Sequence, residues 1–426
     1  MLIGIILLFI LLLLGMPVAF ALITSGSIGL LLIDPNSMFS ILTTAPYRTA
    51  ASFTLSTIPL FIFMAEVLAR AGFAKDLYRA SYVWFGHFSG GLAISSILAS
   101  ALMGTMSGST TATTAAMSRI AIPEMDRYGY NRRISTGAIA FGGTIAIMIP
   151  PSIPLILYGI LTETSIGKLL IAGIIPGVLA AFALSLAIFL RANINPSWAP
   201  KVEPYSWKER FATLKSLWSV ILIFVIVIGS IYTGFATATE AAALGASGAV
   251  LIGVFSKRLN FKMFLESVFE TVRMTSMIFA IIIGAMIFGY YLTITGASQA
   301  VIDYIVSLPI SSFGILLIIL LLYLILGFFM DGIAILLLTL PLTFPIISGL
   351  GYDPIWFGII VVFMVEIGLV TPPLGLNVFI VSSISKEPLE NVFKGAVFFL
   401  IVGFIVLGLI IAFPEIATWL PSTLKS

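Results

Sequence analysis

Apolar residues run continuously along most of the chain, without the two-residue alternation of a barrel strand, and this pattern predicts membrane helices. Apolar segments fall at about 2–33, 55–70, 88–104, 134–149, 152–162 and 168–190. A second series falls at about 215–232, 237–256, 267–291, 312–326, 355–370, 373–385 and 391–414. Runs such as 174–190 and 397–413 are long enough to cross about 30 Å of hydrocarbon. The first segment is one long tilted helix or two short ones joined at Gly15-Met16-Pro17, so the sides of the termini stay open. It lacks a basic n-region and reads as a retained helix.

The breaks between the runs occur twice. Pro123, Gly129, Tyr130, Pro150-Pro151 and Gly173 recur as Pro345, Gly351, Tyr352, Pro372-Pro373 and Gly395 at a constant offset of 222 residues. Upstream, Gly15, Gly26 and Gly29 match Gly234, Gly245 and Gly248 at an offset of 219. These residue types shape backbone, so the repeated property is chain geometry. A duplicated membrane domain broken in matching places is the signature of a secondary transporter with its site at the repeat interface. The repeats are expected over 1–190 and 215–426, joined by a linker at 191–214.

Two apolar stretches are too interrupted for ordinary spans: 104–125 around a Gly, Ser and Thr cluster, and 327–348 around Asp331. Each has the length of a re-entrant hairpin, which membrane depth tolerates only where backbone is buried in protein or lines a wet cavity. The Pro-Pro pairs at 150–151 and 372–373 each remove two backbone donors inside an apolar run, predicting broken helices with freed carbonyls. Such carbonyls suit a hard cation, and the half-helix that follows presents amide donors to an anion.

Composition sharpens the class. Of 426 residues, 60% are hydrophobic and 9% charged, which a soluble core of this length could not use. The net charge of +3 matters by placement. Arg191, Lys201, Lys208, Arg210 and Lys215 outnumber Glu203 and Glu209 in the polar stretch 191–215 that includes the linker, which the positive-inside rule assigns to the cytoplasm along with 119–133 and 257–262. Basic loops here set orientation and give no support to nucleic-acid binding. The absence of cysteine excludes disulfides and thiolate chemistry.

The candidate chemistry is polar groups in apolar surroundings. Ser107, Ser109, Thr110, Thr111, Thr113 and Thr114 offer neutral oxygens suited to Na⁺; the same small residues also permit close helix packing. Asp331, which the offset of 222 matches to Ser109, is either a cation-site carboxylate or a hairpin tip near the interface. At the bilayer centre such a group costs roughly 2.5–3.5 kcal/mol. Glu366 is a proton or cation group, or an acceptor for amides at the second break. Thr371 and Asn377 flank that break, as Gly142, Gly143, Thr144 and Ser152 flank the first. Glu240 sits at an expected helix start, and the single histidine, His87, fits interfacial packing better than metal binding.

Four motifs in order resemble the large membrane subunit of TRAP transporters, DctM type, within the ion transporter superfamily: SGSTTAT from Ser107, GFATATEAAA from Gly234, GFFMD from Gly327 and GLVTPPLGLN from Gly368. The resemblance covers essentially the whole chain. It implies an all-α polytopic membrane protein with two inverted repeats, re-entrant hairpins and broken helices, working as an elevator that binds Na⁺ and an organic anion. Cation sites would fall on Ser107, Gly108, Ser109 and Thr113 with Ile149 and Pro150, and on Gly327 and Asp331 with Thr371 and Pro372. Substrate contacts are expected at Thr110, Ser152, Glu366, Gly375 and Asn377. Gly332-Ile333 departs from relatives that often carry a hydroxyl or proline after the aspartate.

The implied partners are a small four-helix membrane subunit (DctQ type) and a periplasmic substrate-binding protein (DctP type). The setting is the bacterial or archaeal cytoplasmic membrane, with no organic cofactor and no transition-metal site. The expected activity is Na⁺-coupled uptake of an organic acid such as a C4-dicarboxylate or sugar acid. A single-component Na⁺- or H⁺-coupled carboxylate carrier of the same superfamily remains open, and an intramembrane enzyme fits poorly, since no catalytic cluster is visible.

Overall fold

The computed structural model describes residues 2–297, 299, 300, 303, 304 and 309–424, and these form helices joined by short turns. Among them, five helices are long and apolar enough to cross a membrane, or up to seven if each of two bent pairs counts as one span. The first apolar segment is two helices, Leu2–Leu13 and Val18–Leu31, separated at Gly15, whose φ is +81°.

A scaffold layer is built from Val18–Leu31, Thr57–Arg70, Trp218–Tyr232, Ala238–Phe255 and the 34-residue helix Phe261–Ile294. Glycine permits its tightest crossing. A Cβ on Gly29 would lie 2.5 Å from the Tyr291 ring, and one on Gly26 would lie 3.0 Å from the Phe288 backbone. Their counterpart Gly245 admits the Met64 sulfur in the same manner, 2.6 Å from where a Cβ would stand. Glu240 forms a capping box with Thr237, so its place at a helix start is explained locally.

The inner layer interlocks the repeats. Gly91–Ser107 and Thr110–Arg127 form the first hairpin, Ser312–Gly327 and Gly332–Gly349 the second. The first broken helix is Arg132–Ala146 with Ile153–Leu161, and the second is Pro354–Gly368 with Leu376–Ser385. Thr110–Arg127 packs on Leu376–Ser385, and Gly332–Gly349 on Ile153–Leu161, so each hairpin leans on a half-helix of the other repeat.

Two contacts fix the inversion. Arg132 Nη1 donates to Ser385 O at 3.3 Å, so the open end of the first hairpin lies where Leu389–Ala412 begins. Trp356 Nε1 donates to Ile410 O at 2.9 Å, placing the open end of the second hairpin at the far end of that 24-residue helix. The hairpins therefore enter from opposite faces.

Both hairpins differ from the expected limits of 104–125 and 327–348. Their turns lie at 108–109 and 328–331, and the preceding helices, expected as separate spans, are their first arms. Helices Pro35–Ala50, Phe73–Phe85 and Glu415–Ser422 were not expected, and the linker contains Trp207–Ser216, started by a capping box of Ser206 and Glu209.

Candidate functional site

Each hairpin tip is a helix start held by its own cap. Gly91–Ser107 ends on Gly108 at φ +54°, a conformation that favours glycine, and Ser109 Oγ accepts from Ala112 N at 3.4 Å to begin Thr110–Arg127. Asp331 plays that part in the second hairpin, where Oδ1 accepts from Ile333 N at 3.0 Å and Ala334 N at 3.3 Å. The correspondence of Ser109 with Asp331 is thus one of structural role.

The tips approach the breaks through glycine. A Cβ on Gly108 would lie 3.3 Å from the Pro151 carbonyl oxygen, and one on Gly104 only 1.9 Å from Ala146 O. In the second repeat Gly327 meets Gly368 backbone to backbone, a Cβ on the former falling 2.8 Å from the latter's Cα. The first break, 147–152, is wholly buried, whereas Pro372, Pro373 and Leu374 are exposed.

Between the tips lies a cavity of about 150 Å³. Ser109, Thr110 and Thr111 line it from the first hairpin, Asp331, Gly332 and Ile333 from the second, and Ile153 and Pro154 from the half-helix after the first break. Met274 and Met277 of Phe261–Ile294 close the scaffold side. Glu366, 1% exposed, also reaches the cavity, and its Oε2 accepts from Thr110 Oγ1 at 2.7 Å. That bond ties the two repeats together. The lining carries two carboxyl side chains and, among the described residues, no lysine, arginine or histidine.

Of the residues expected at the site, Gly108, Ser109, Thr110, Asp331 and Glu366 converge on this cavity. Ser107 and Thr113 do not line it, and their hydroxyl oxygens stand 2.7 Å apart. Ile149, Pro150 and Ser152 are buried at the first break, with Ser152 Oγ accepting from Leu155 N at 3.3 Å. Gly327 is held against Gly368, and Thr371 Oγ1 donates back to Ile367 O at 2.7 Å. Gly375, at φ +59°, starts Leu376–Ser385 beside Pro372 and Pro373. Asn377 is fully buried, donating to Ala140 O at 3.4 Å, and its Oδ1 has no partner among the described residues. None of this second group lines the cavity.

Met274, Met277, Ile147 and Leu369 line it without having been expected. They are apolar residues within apolar runs, and no sequence signal marks them.

The donor chemistry is compatible with Na⁺. Ser107 Oγ lies 3.3 Å from Ser109 O and 2.7 Å from Thr113 Oγ1, a group of neutral oxygens beside the first break. At the second tip Asp331 spends Oδ1 on two amides, leaving Oδ2 free of any helix-capping bond.

The model of the Tripartite ATP-independent periplasmic transporter, DctM component, matches residues 5–416. The chain belongs to the DctM family of TRAP transporter large permeases. It is 37% identical over 402 residues to the C4-dicarboxylate TRAP transporter large permease protein DctM of Pseudomonas aeruginosa, covering 94% of this chain and 93% of the relative. It is 32% identical over 409 residues to the sialic acid TRAP transporter large permease protein SiaM of Vibrio cholerae, covering 96% and 95%. These relatives are permeases, in keeping with a transport role rather than an enzymatic one. The crystal structure of the Alcanivorax borkumensis YdaH transporter shares the fold, with a TM-score of 0.65 at 12% identity over 91% of each chain.

Proposed function

We propose that this TRAP large permease carries out Na⁺-coupled uptake of a small organic acid across the cytoplasmic membrane of a bacterium or archaeon, as the moving and scaffold subunit of a tripartite symporter. Its partners in this reading are a small membrane subunit and a periplasmic substrate-binding protein that delivers the solute.

The observation that carries the proposal is the charge of the cavity between the hairpin tips. Three helix N-termini, at Thr110, Ile153 and Gly332, line it and offer amide dipoles to a carboxylate. Asp331 also lines it, with no basic side chain among the described residues to offset its charge. An anion therefore enters favourably only when cations accompany it, and cations at the hairpin and break oxygens supply that charge. Coupling is the consequence: a site competent for the anion only when loaded with cation moves both or neither.

The size of the cavity favours a short acid. At about 150 Å³ it is well below the roughly 300–1,000 Å³ of drug-sized pockets, which suits a C4-dicarboxylate better than a nine-carbon sugar acid. Movement of the inner layer against the scaffold, in the manner of an elevator, would carry the site across, because Met274 and Met277 are the scaffold's contribution to its wall.

The test is uptake into proteoliposomes containing this chain and its small subunit, with and without a Na⁺ gradient and with candidate binding proteins. Uptake requiring both Na⁺ and a binding protein is the expected result. Uptake by the chain alone, driven by a proton gradient, would overturn the proposal.

A further inference from the structure

A second cavity, of about 270 Å³, opens at the basic face of the inner layer, where helices of both repeats converge. Arg133 comes from the first turn of Arg132–Ala146, Arg191 from the last turn of Ile174–Ile194, and Lys394 from the second turn of Leu389–Ala412. Arg191 stacks on Trp198 with its guanidinium carbon 4.6 Å from the ring centroid, yet its buried Nε has no hydrogen-bond partner among the described residues. Neither Arg133 nor Arg191 joins an ion pair among the described residues. Lys394 meets Glu390 at 2.6 Å, which leaves the cavity with an excess of positive charge.

The rest of the wall is apolar and continues onto the outer surface. Val397 and Ile401 line the cavity and are exposed, and on the neighbouring helix Val178, Phe182, Leu186 and Leu190 form an exposed row at four-residue spacing. Exposed apolar rows on membrane helices that end in arginine and lysine at the cytoplasmic boundary match the amphipathic shape of a phospholipid.

We propose that this cavity binds the phosphate of an anionic phospholipid, with Arg133, Arg191 and Lys394 holding the headgroup and the acyl chains lying along the rows of Val397 and Leu186. Arg191 Nε then donates to a phosphate oxygen and gains the partner it lacks. A freely hydrated phosphate would leave the apolar wall of Val397, Phe398 and Ile401 in contact with water, so the lipid is the favoured source of the anion. The site shares no lining residue with the cavity between the hairpin tips, and the proposal is independent of the transported solute.

Native mass spectrometry of the full chain in detergent, titrated with phosphatidylglycerol, phosphatidylethanolamine and inorganic phosphate, tests it. Phosphatidylglycerol should be retained roughly tenfold more than the zwitterionic lipid and should resist displacement by inorganic phosphate. The Arg133→Gln/Arg191→Gln variant should lose that preference. The Lys208→Gln/Lys215→Gln variant, which removes the same charge from exposed positions of helix Trp207–Ser216, should keep it. Equal retention of the two lipids by the unsubstituted chain, or displacement by inorganic phosphate, overturns the proposal, and this comparison does not depend on any variant folding. Retention of the preference by the arginine variant at an unchanged melting temperature overturns it as well.

Discussion

Glu366 is the side chain through which the two repeats share one site. It is buried, and the Thr110 hydroxyl is the donor to its Oε2. Thr110→Val should leave that oxygen without its bond, lowering stability by about 1–3 kcal/mol, read as a lower melting temperature in detergent. Glu366→Gln retains an oxygen that can accept from Thr110, so it should melt closer to the unsubstituted protein while removing the titratable carboxyl group from the cavity. Its uptake should fall more than its stability. Equal losses in both would mean that Glu366 only holds the repeats together. Asp331 separates two roles in the same way. Asn at this position keeps an Oδ1 for the Ile333 and Ala334 amides but puts an amide where Oδ2 stands. Asp331→Asn should therefore fold normally and raise the Na⁺ concentration for half-maximal uptake roughly tenfold, the equivalent of about 1.4 kcal/mol. An unchanged Na⁺ dependence would reduce Asp331 to a helix cap. These residues were legible in the sequence because a carboxylate or hydroxyl in an apolar run needs a reason to be there. Met274 and Met277 were not, since an apolar residue that faces a cavity and one that faces lipid look alike along the chain.

The helices show where pattern reading succeeds and where it stops. The long apolar elements and both breaks were visible, but the first arm of each hairpin has the composition of an ordinary span. Only the packing of Gly91–Ser107 and Ser312–Gly327 on the arms that follow reveals them as hairpin arms. Pro35–Ala50 and Phe73–Phe85 escaped for the opposite reason, because charged and hydroxyl residues interrupt their apolar faces. Close approach within the inner layer is more demanding than hydrophobicity. Gly104→Ala would force a Cβ to within 1.9 Å of Ala146 O, with backbone on both sides and nothing flexible to yield, and should sharply reduce folded protein. Gly408→Ala, in an exposed stretch of Leu389–Ala412 with nothing near the new methyl, should leave yield and uptake unchanged. Comparison of monodisperse yield on size-exclusion chromatography distinguishes the two. The linker helix carries a pH dependence of its own. Burial, and then the Arg210 guanidinium 3.4 Å from Nδ1, hold His87 below the ordinary imidazole range. The associated stabilisation is complete above the usual value of about 6.5 and is lost as pH falls through the depressed one. Proteolysis of the linker should quicken between about pH 7.5 and pH 5, and His87→Gln should abolish that difference.

For the whole molecule, the decisive question is whether the inner layer moves against the scaffold. The cavity between the tips is bounded on one side by Ile333 of the second hairpin and on the other by Met277 of the scaffold, on helices that pack together. If transport carries the hairpins past Phe261–Ile294, a covalent bridge between these two positions must stop it. The chain contains no cysteine, so a Met277→Cys/Ile333→Cys pair has no competing thiol. Treatment with a short bifunctional thiol reagent should abolish uptake by that pair. Thr57 and Thr239 provide the control: their hydroxyl oxygens are 2.6 Å apart, and both belong to scaffold helices, which keep their spacing in a moving-domain mechanism. A bridged Thr57→Cys/Thr239→Cys pair should continue to transport. Loss of uptake in the first pair alone locates the motion at the boundary crossed by the cavity. Full activity in both would mean that access alternates by local opening of the hairpin tips, with the inner layer fixed on its scaffold.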